Sequence, residues 1–497
     1  NGVLMYQPSY EDFCKKAKKG NLVPVYREIL ADLETPVSAF LKIDDGKYSY
    51  LLESVEGGEK WGRYSFLGTS PFLVIRAKDG KIEIIRNGKR SSFDSDKNPL
   101  LLLKRLLREY KPVSIDGLPP FFGGAVGYLA YDMIRHFEAL SLKKRGSLEL
   151  PDILFMFTDT LLIFDNIRQR IKVVSNAFVK EKGTRKAYND AKIKIDGIIE
   201  KLKRRTADKG QRNIKKDIRL SSNYTKKGFE KAVERSKEYI KAGDIFQVVL
   251  SQRFNTGIKS EPFNVYRALR AVNPSPYMFF LRLGDFSMAG SSPEVLVRCE
   301  DGEITLRPIA GTRKRGKTAE EDKALEKELL ADPKERAEHI MLVDLGRNDV
   351  GRVSEMGSVN VDELMVIEKY SHVMHIVSNI KGRLKKGMDA FDVIMACFPA
   401  GTVSGAPKIR AMQIIDELEP TMRGPYAGAV GYFSFSNNMD TCINIRSVIM
   451  KAQTAYIQAG AGIVADSVPS NEYQETVNKA KAMVRAIEMA EEGLVCS

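Results

Sequence analysis

"RPIAGTRKRGKT", residues 307–318, can be read in two ways that lead to different folds. From Gly311 onward it satisfies G-x-x-x-x-G-K-[ST], the phosphate-cradling loop of nucleotide hydrolases. The flanking "EITLRPIAG" and "TAEEDKALEKELLAD" supply a strand and a helix for that reading. "IMLVD" (340–344) even has the look of an apolar strand ending in a magnesium-binding aspartate. Two physical points oppose it. A phosphate cradle turns consecutive backbone N–H groups inward, so its variable positions favour small side chains. Here they are Thr312, Arg313, Lys314 and Arg315. Moreover "IMLVD" continues a helix signalled by Asp332 as N-cap, Pro333 at the first helical position and Glu335 three residues after the cap. The stretch is better read as the wall of another anion site.

The rest of the chain agrees with a mixed fold. Its 497 residues suggest about two to four domains. Hydrophobic content of 43% with 29% charged residues excludes disordered and collagen-like classes. A net charge of +14 raises nucleic acid as a partner. Much of that excess sits in 180–220, where lysine and arginine interleave with acids in a helical pattern. No zinc-finger, RNA-binding or basic-zipper pattern accompanies it, so a solvated helix and linker are expected rather than a nucleic-acid surface. Five scattered cysteines without a CxxC pair point to a reducing, cytoplasmic setting. The strongest apolar run, "ILFMFTDTLLIF" (153–164), carries Asp159 and is too short for a bilayer. A buried strand or strand pair, and no membrane partner, is expected.

The basic segment divides the sequence into an N-terminal domain, 1–220, and a second domain, 221–497. Before it, 36–43 and 48–55 read as strands and 72–89 as a hairpin turning at Asp79-Gly80. "FFGGAVGYLAYDMIRHF" (121–137) reads as a glycine-rich run entering a helix. After it come a helix over 224–244, a strand over 245–254, the helix from Asp332, a glycine-rich loop opening a helix in 398–419, a strand over 455–465 and a helix over 470–492. Strands in meander order with clustered helices predict an α+β fold.

Two of those helices each carry glutamates at i, i+3: Glu335 with Glu338, and Glu472 with Glu475. That spacing puts both carboxylates on one face. Either pair alone reads as capping or solvated charge. Two such faces meeting would repel unless a cation relieved them, and oxygen-only ligands point to Mg²⁺. "AGTVSGAPK" (400–408) and "QAGAGIVADS" (458–467) read as amide-presenting loops. Arg446, a lone cation in the apolar "CINIRSVIM", is either an edge residue or a partner for a buried anion. Metal, arginine and amides together imply a substrate with more than one carboxylate.

At these residues the sequence resembles the chorismate-utilising enzymes, most closely the family of anthranilate synthase component I, the large subunit. The carrying motifs are "LLES" (51–54), "NPSPYM" (273–278), "GSSPE" (290–294), "PIAGTRKRG" (308–316), "AEHIMLVDLGRND" (337–349), "VMHIVS" (373–378), "GTVSGAPK" (401–408), "GPYAGAVGY" (424–432) and "AGAGIVADS" with "NEYQET". The resemblance implies a two-domain α+β fold of antiparallel sheets flanked by helices, and Mg²⁺ as cofactor. It implies that Glu338 and Glu475 hold the metal directly, with Glu335 and Glu472 assisting through water. Arg446, Tyr426 and the amides of Gly460, Ala461 and Gly462 would bind the enolpyruvyl carboxylate of chorismate, with Gly311, Thr312 and Thr402 lining the pocket.

The implied reaction is feedback-inhibited formation of anthranilate and pyruvate from chorismate and ammonia, the first committed step of tryptophan biosynthesis. Glu294 would protonate the departing hydroxyl and His375 would serve the pyruvate elimination. On spacing alone His372 and His375 are equally strand histidines or a weak metal pair. Ala310 stands where the resembling aminodeoxychorismate branch has a nucleophilic lysine, and Gln247 stands where isochorismate-forming relatives have a basic one. Both favour amination by ammonia. Glu53, Ser54, Pro276, Tyr277 and Met278 match the family's tryptophan-effector segments. No glutaminase signature is visible, so ammonia is expected from solution or from a glutamine amidotransferase subunit, component II.

Overall fold

A computed structural model describes residues 6–55, 62–140, 146, 148–180, 183–204, 218–370 and 373–494. His372, Cys496 and the 205–217 part of the basic segment lie outside them. Two twelve-stranded sheets dominate. Their strands pair antiparallel throughout the described residues. The fold is the expected α+β one.

The apolar run at 153–164 shows how the layers arise. It forms the strands Ile153–Thr158 and Thr160–Asp165, one in each sheet. Successive side chains of a strand point to opposite faces. Accordingly Leu154, Met156, Leu161 and Ile163 enter one core, which draws on both sheets. Ile153, Phe155 and Phe157 enter a second core, and Leu162 and Phe164 a third. Both faces of each strand are buried, so the sequence shows no polar alternation. The two sheets therefore sandwich a shared core, with helices covering their outer faces.

Neither sheet ends at residue 220. Tyr48–Glu53 pairs with Tyr277–Leu283, and Gly124–Leu129 pairs with Ala429–Ser434. The chain also passes from sheet to sheet twice near one place. Phe286–Ser292 belongs to the first sheet and Val295–Glu300 to the second, so Pro293 and Glu294 make the crossing. Met439–Ile443 belongs to the second sheet and Ser447–Lys451 to the first, so 444–446 make the return.

Two local expectations are corrected. Residues 36–43 form a helix, not a strand, because Thr35 and Ser38 close a capping box, Pro36 starts the turn, and Ala39, Phe40 and Ile43 bury one face. Residues 121–137 contain the strand Gly124–Leu129 and then only a short 3₁₀ turn, Tyr131–His136. The strand expected over 455–465 forms as Thr454–Ile463, so residues 458–463 present their amides from a strand and not from a loop, and their small side chains suit close packing against Gln247–Gly257.

The nucleotide loop is also overturned. Ile309–Lys314 is a strand paired with Val373–Arg383. The amides that would cradle phosphate are taken: Gly316 N donates to Asp322 Oδ1 at 2.6 Å and Lys317 N to Glu321 Oε2 at 2.7 Å. Residues 340–344 lie inside the helix Pro333–Gly351. That helix is capped as the sequence indicates, Asp332 Oδ1 accepting from Lys334 N at 3.0 Å and Glu335 N at 3.3 Å. Asp332→Ala is expected to lower unfolding stability by about 1 kcal/mol, read from the urea midpoint at unchanged slope.

Candidate active site

The two crossings are laced together by Ser291 N donating to Arg446 O at 3.0 Å and Ile443 N donating to Glu294 O at 3.1 Å. Glu294 and Arg446 therefore emerge side by side from the seam between the sheets. Glu294 is 6% exposed, and its Oε1 accepts from Thr402 Oγ1 at 3.0 Å. Burial pushes its carboxyl up to about 8, against the opposing pull of the Thr402 hydroxyl and Lys479. It is a carboxylic acid that still holds its proton near neutrality. Thr402 comes from a short turn, Gly401–Val403, within the glycine-rich stretch that precedes the helix Lys408–Leu418.

Arg446 adopts a left-handed backbone, φ +52°, which lets it leave one sheet and join the other. Burial draws its guanidinium below the ordinary range, and Tyr426 and Glu475 lie within its field. No carboxylate among the described residues forms an ion pair with it. Tyr426 lies over Gly460, where an added Cβ would meet the Tyr426 hydroxyl at 2.8 Å. The strand Ser447–Lys451 pairs with its neighbour only as far as Ile457, leaving the 458–463 edge open beside Arg446. Arginine, phenol and strand edge together make a receptor for a carboxylate.

Gly311 bulges the strand Ile309–Lys314 between Ala310 and Thr312, at φ +72°. The bulge aims the Gly311 carbonyl at His375 Nδ1, 3.1 Å away, and Thr312 Oγ1 lies 3.0 Å from the same nitrogen. A carbonyl only accepts, so Nδ1 carries the proton and Nε2 is the basic nitrogen. Burial lowers the pKa of this imidazole, keeping it neutral. A side chain at Gly311 would be strained and would also approach Glu335 Oε2 at 3.1 Å. Ala310, immediately before the bulge, is buried and offers no nucleophile.

The carboxylate helices are Pro333–Gly351 and Pro469–Glu491. Burial raises Glu338, and its neighbours Glu335 and Glu475 push in the same direction. Burial likewise raises Glu472, with Glu475 adding to it. The four carboxylates do not converge on one point. Among the described residues no three acidic, histidine or cysteine side chains stand close enough to hold one ion. Glu335 instead accepts from Arg313 Nη1 at 3.1 Å, and Glu475 pairs with Lys479 Nζ at 2.6 Å. Glu338 accepts from Gln247 Nε2 at 2.8 Å, while the buried Gln247 Oε1 has no partner. This donor set fits Mg²⁺, a hard ion that binds through one or two carboxylates and fills its remaining positions with water and substrate oxygens.

Lys479 escaped sequence reasoning. Four residues after Glu475, it reads as half of a surface pair. In the fold its Nζ also donates to Gly460 O at 3.0 Å, placing a cation beside the carboxylate receptor.

The effector-type segments form a separate cavity of about 260 Å³ between the sheets. Glu53, Ser54, Pro276, Tyr277 and Met278 all line it, with Tyr64, Phe66 and Arg298 among others. Glu53 is held by the Tyr266 hydroxyl and by Arg270 Nε at 2.8 Å. Tyr277 donates to Asp440 Oδ1 at 2.9 Å, and Arg298 Nη2 to Asp440 Oδ2 at 2.6 Å.

Comparison with known proteins agrees with this architecture. The family profile described as chorismate binding enzyme matches residues 48–485. Anthranilate synthase component 1 of Acetivibrio thermocellus is 50% identical over 98% of this chain and all of its own length. The protein of that name from Aquifex aeolicus is 51% identical, covering 97% of this chain and 98% of its own. The crystal structure of anthranilate synthase component I from Streptococcus pneumoniae superposes with a TM-score of 0.76 at 41% identity, over 86% of this chain and 95% of that one. The menaquinone-specific isochorismate synthase of Escherichia coli shares the fold, with a TM-score of 0.70 at 20% identity, over 96% of this chain and 99% of that one. With a buried acid, an arginine that has no ion pair among the described residues and two helices whose glutamates act on one another, and with these relatives matching nearly end to end, the chain belongs to the chorismate-binding enzyme family, in its anthranilate synthase component 1 branch.

Proposed function

We propose that this chain performs the chorismate-to-anthranilate reaction, adding ammonia to chorismate and releasing anthranilate, pyruvate and water. The observation that carries the reading is Glu294, a buried, protonated acid held by Thr402 beside a carboxylate receptor. Ammonia attacks the ring carbon next to the carboxylate-bearing carbon, the double bonds shift, and the ring hydroxyl leaves as water with the Glu294 proton. Hydroxide is a poor leaving group, so the step needs an acid that keeps its proton at working pH. Arg446, Tyr426 and the Gly460–Gly462 edge orient the enolpyruvyl carboxylate. His375 Nε2 faces the second stage, in which a ring proton is lost and the enolpyruvyl group departs as pyruvate. Ala310 leaves the ring open to ammonia, and Gln247 is too weak a base to activate water in its place.

Mg²⁺ held by Glu338 and Glu475 would neutralise the ring carboxylate and draw electron density from the ring. Glu335 and Glu472 would assist that site through water. The relatives' designation as a first component supports a second subunit, a glutamine amidotransferase delivering ammonia. The cavity between the sheets suits tryptophan as a feedback effector: apolar and aromatic walls for an indole, with Glu53 and Ser54 at one end for its ammonium. Among the described residues no helix is long and apolar enough to cross a membrane.

With ammonium and Mg²⁺ the purified chain should produce the fluorescence of anthranilate, and none without added metal. Glu338→Gln should cut kcat/KM by roughly a hundredfold or more at unchanged far-UV circular dichroism; near-normal turnover would remove the metal assignment. Because the protonated form of Glu294 is the active one, kcat/KM for chorismate at fixed free ammonia should fall as pH rises through about 8. A profile flat to pH 10 would exclude Glu294 as the acid. Tryptophan at about millimolar concentration should inhibit, and Ser54→Phe should relieve it by obstructing the cavity; an indifferent wild-type enzyme refutes the effector reading.

A further inference from the structure

Behind the site lies a buried ion pair to which no substrate role has been assigned. Arg423 is 2% exposed and Glu419 5% exposed. Arg423 Nε donates to Glu419 Oε2 at 3.0 Å and Nη2 to Glu419 Oε1 at 2.6 Å. Such a pair is costly to bury and gives little net stability against an apolar replacement. Its remaining bonds show what it holds. Arg423 Nη1 donates to Val403 O at 2.7 Å, the residue after Thr402, and Nη2 to Val249 O at 2.6 Å, opposite Gly462 in the sheet. The guanidinium stacks on the rings of Tyr131 and Tyr426, 4.7 and 5.7 Å from their centres. Glu419 Oε1 accepts from both the amide and the hydroxyl of Ser251, each at 2.8 Å, and Ser251 Oγ accepts from Gln458 Nε2 at 2.9 Å. One planar, five-donor cation thus ties together the Thr402 turn, the Tyr426 loop and the strand that backs the Gly460–Gly462 edge.

We infer that Arg423, anchored by Glu419, is a positioning residue for the amination step: it holds Thr402 in hydrogen-bonding reach of Glu294 and Tyr426 over Gly460. The inference rests on the reading of Glu294 as the proton donor. Lysine at 423 would keep the charge but not reach Glu419, Val403 and Val249 at once. Freed of the Thr402 hydroxyl, Glu294 would hold its proton to higher pH, since that hydrogen bond favours the ionised form. The other groups acting on Glu294, the Ile309 amide and Lys479, are unchanged by the substitution.

The test follows ammonia-dependent turnover of the full chain with Mg²⁺ across pH. Arg423→Lys should lower kcat roughly tenfold to a hundredfold and move the alkaline limb of kcat/KM upward. Thr402→Val should move that limb the same way, and adding Arg423→Lys to it should move it no further. A limb that stays in place, or shifts that simply add, overturns the inference. Should Arg423→Lys not fold, Arg423→Gln with Glu419→Gln removes both buried charges together and is read by the same criteria. Failure of both to fold assigns the pair a structural role only and also overturns it. If Glu294→Gln keeps a wild-type pH profile, the proton-donor reading has failed instead.

Discussion

Everything in the site depends on the chain crossing from sheet to sheet twice at one place. Two backbone hydrogen bonds, Ser291 N to Arg446 O and Ile443 N to Glu294 O, lock those crossings side by side. A regular strand sends alternate side chains to opposite faces and keeps its backbone groups in the ladder. A crossing residue is released from both constraints and projects into the seam between the layers. Glu294 and Arg446 are such residues, and the left-handed backbone at Arg446 is the local cost of that placement. An acid and a cation are thus presented from rigid sheets rather than from mobile loops.

The seam then sets the chemistry through burial. The same desolvation that keeps Glu294 protonated leaves Arg446 with a strong preference for an anion and keeps His375 neutral. Glu338 and Glu472 are raised for the same reason, with neighbouring carboxylates adding to it. An anion would satisfy the arginine, and a cation would relieve the glutamates. Lys479 moderates the arrangement by pairing with Glu475 while lying near Gly460. The effector-type cavity shares strand Met439–Ile443 with the site, since Asp440 and Cys442 line it and the strand leads directly to Arg446. The cavity and Arg446 are neighbours along one piece of chain.

Local physical chemistry made much of the fold legible. Asp332, Pro333 and Glu335 marked a helix start that the structure keeps, and that start excluded "IMLVD" as a strand. The cations at 313–315 argued against a phosphate loop, and the strand Ile309–Lys314 agrees. The hairpin at Asp79-Gly80 was visible in its turn residues, and the two buried strands of 153–165 in their continuous apolar run. Where β-branched and aromatic residues outvoted a capping box, at 36–43, the cap prevailed. Glycine-rich 458–463 could be read both as the end of a strand and as a loop, because small residues that let a strand pack closely look like loop residues in one dimension, and the strand is what forms.

By itself the sequence determined the element types, the core-facing periodicities, the glutamate pairs on their helix faces and, through its motifs, the family. These depend on interactions within a few residues or on residues matched one by one. Tertiary structure decided which of those residues meet. Glu335 turned to Arg313, Lys479 left its surface-like spacing for a bond to Gly460, and Arg423 bonded to Val249, 174 residues away along the chain. The physical reason is that burial and partner choice, which set the charge state of Glu294 and the demand of Arg446 for an anion, are properties of the seam between two sheets, and no single segment contains that seam.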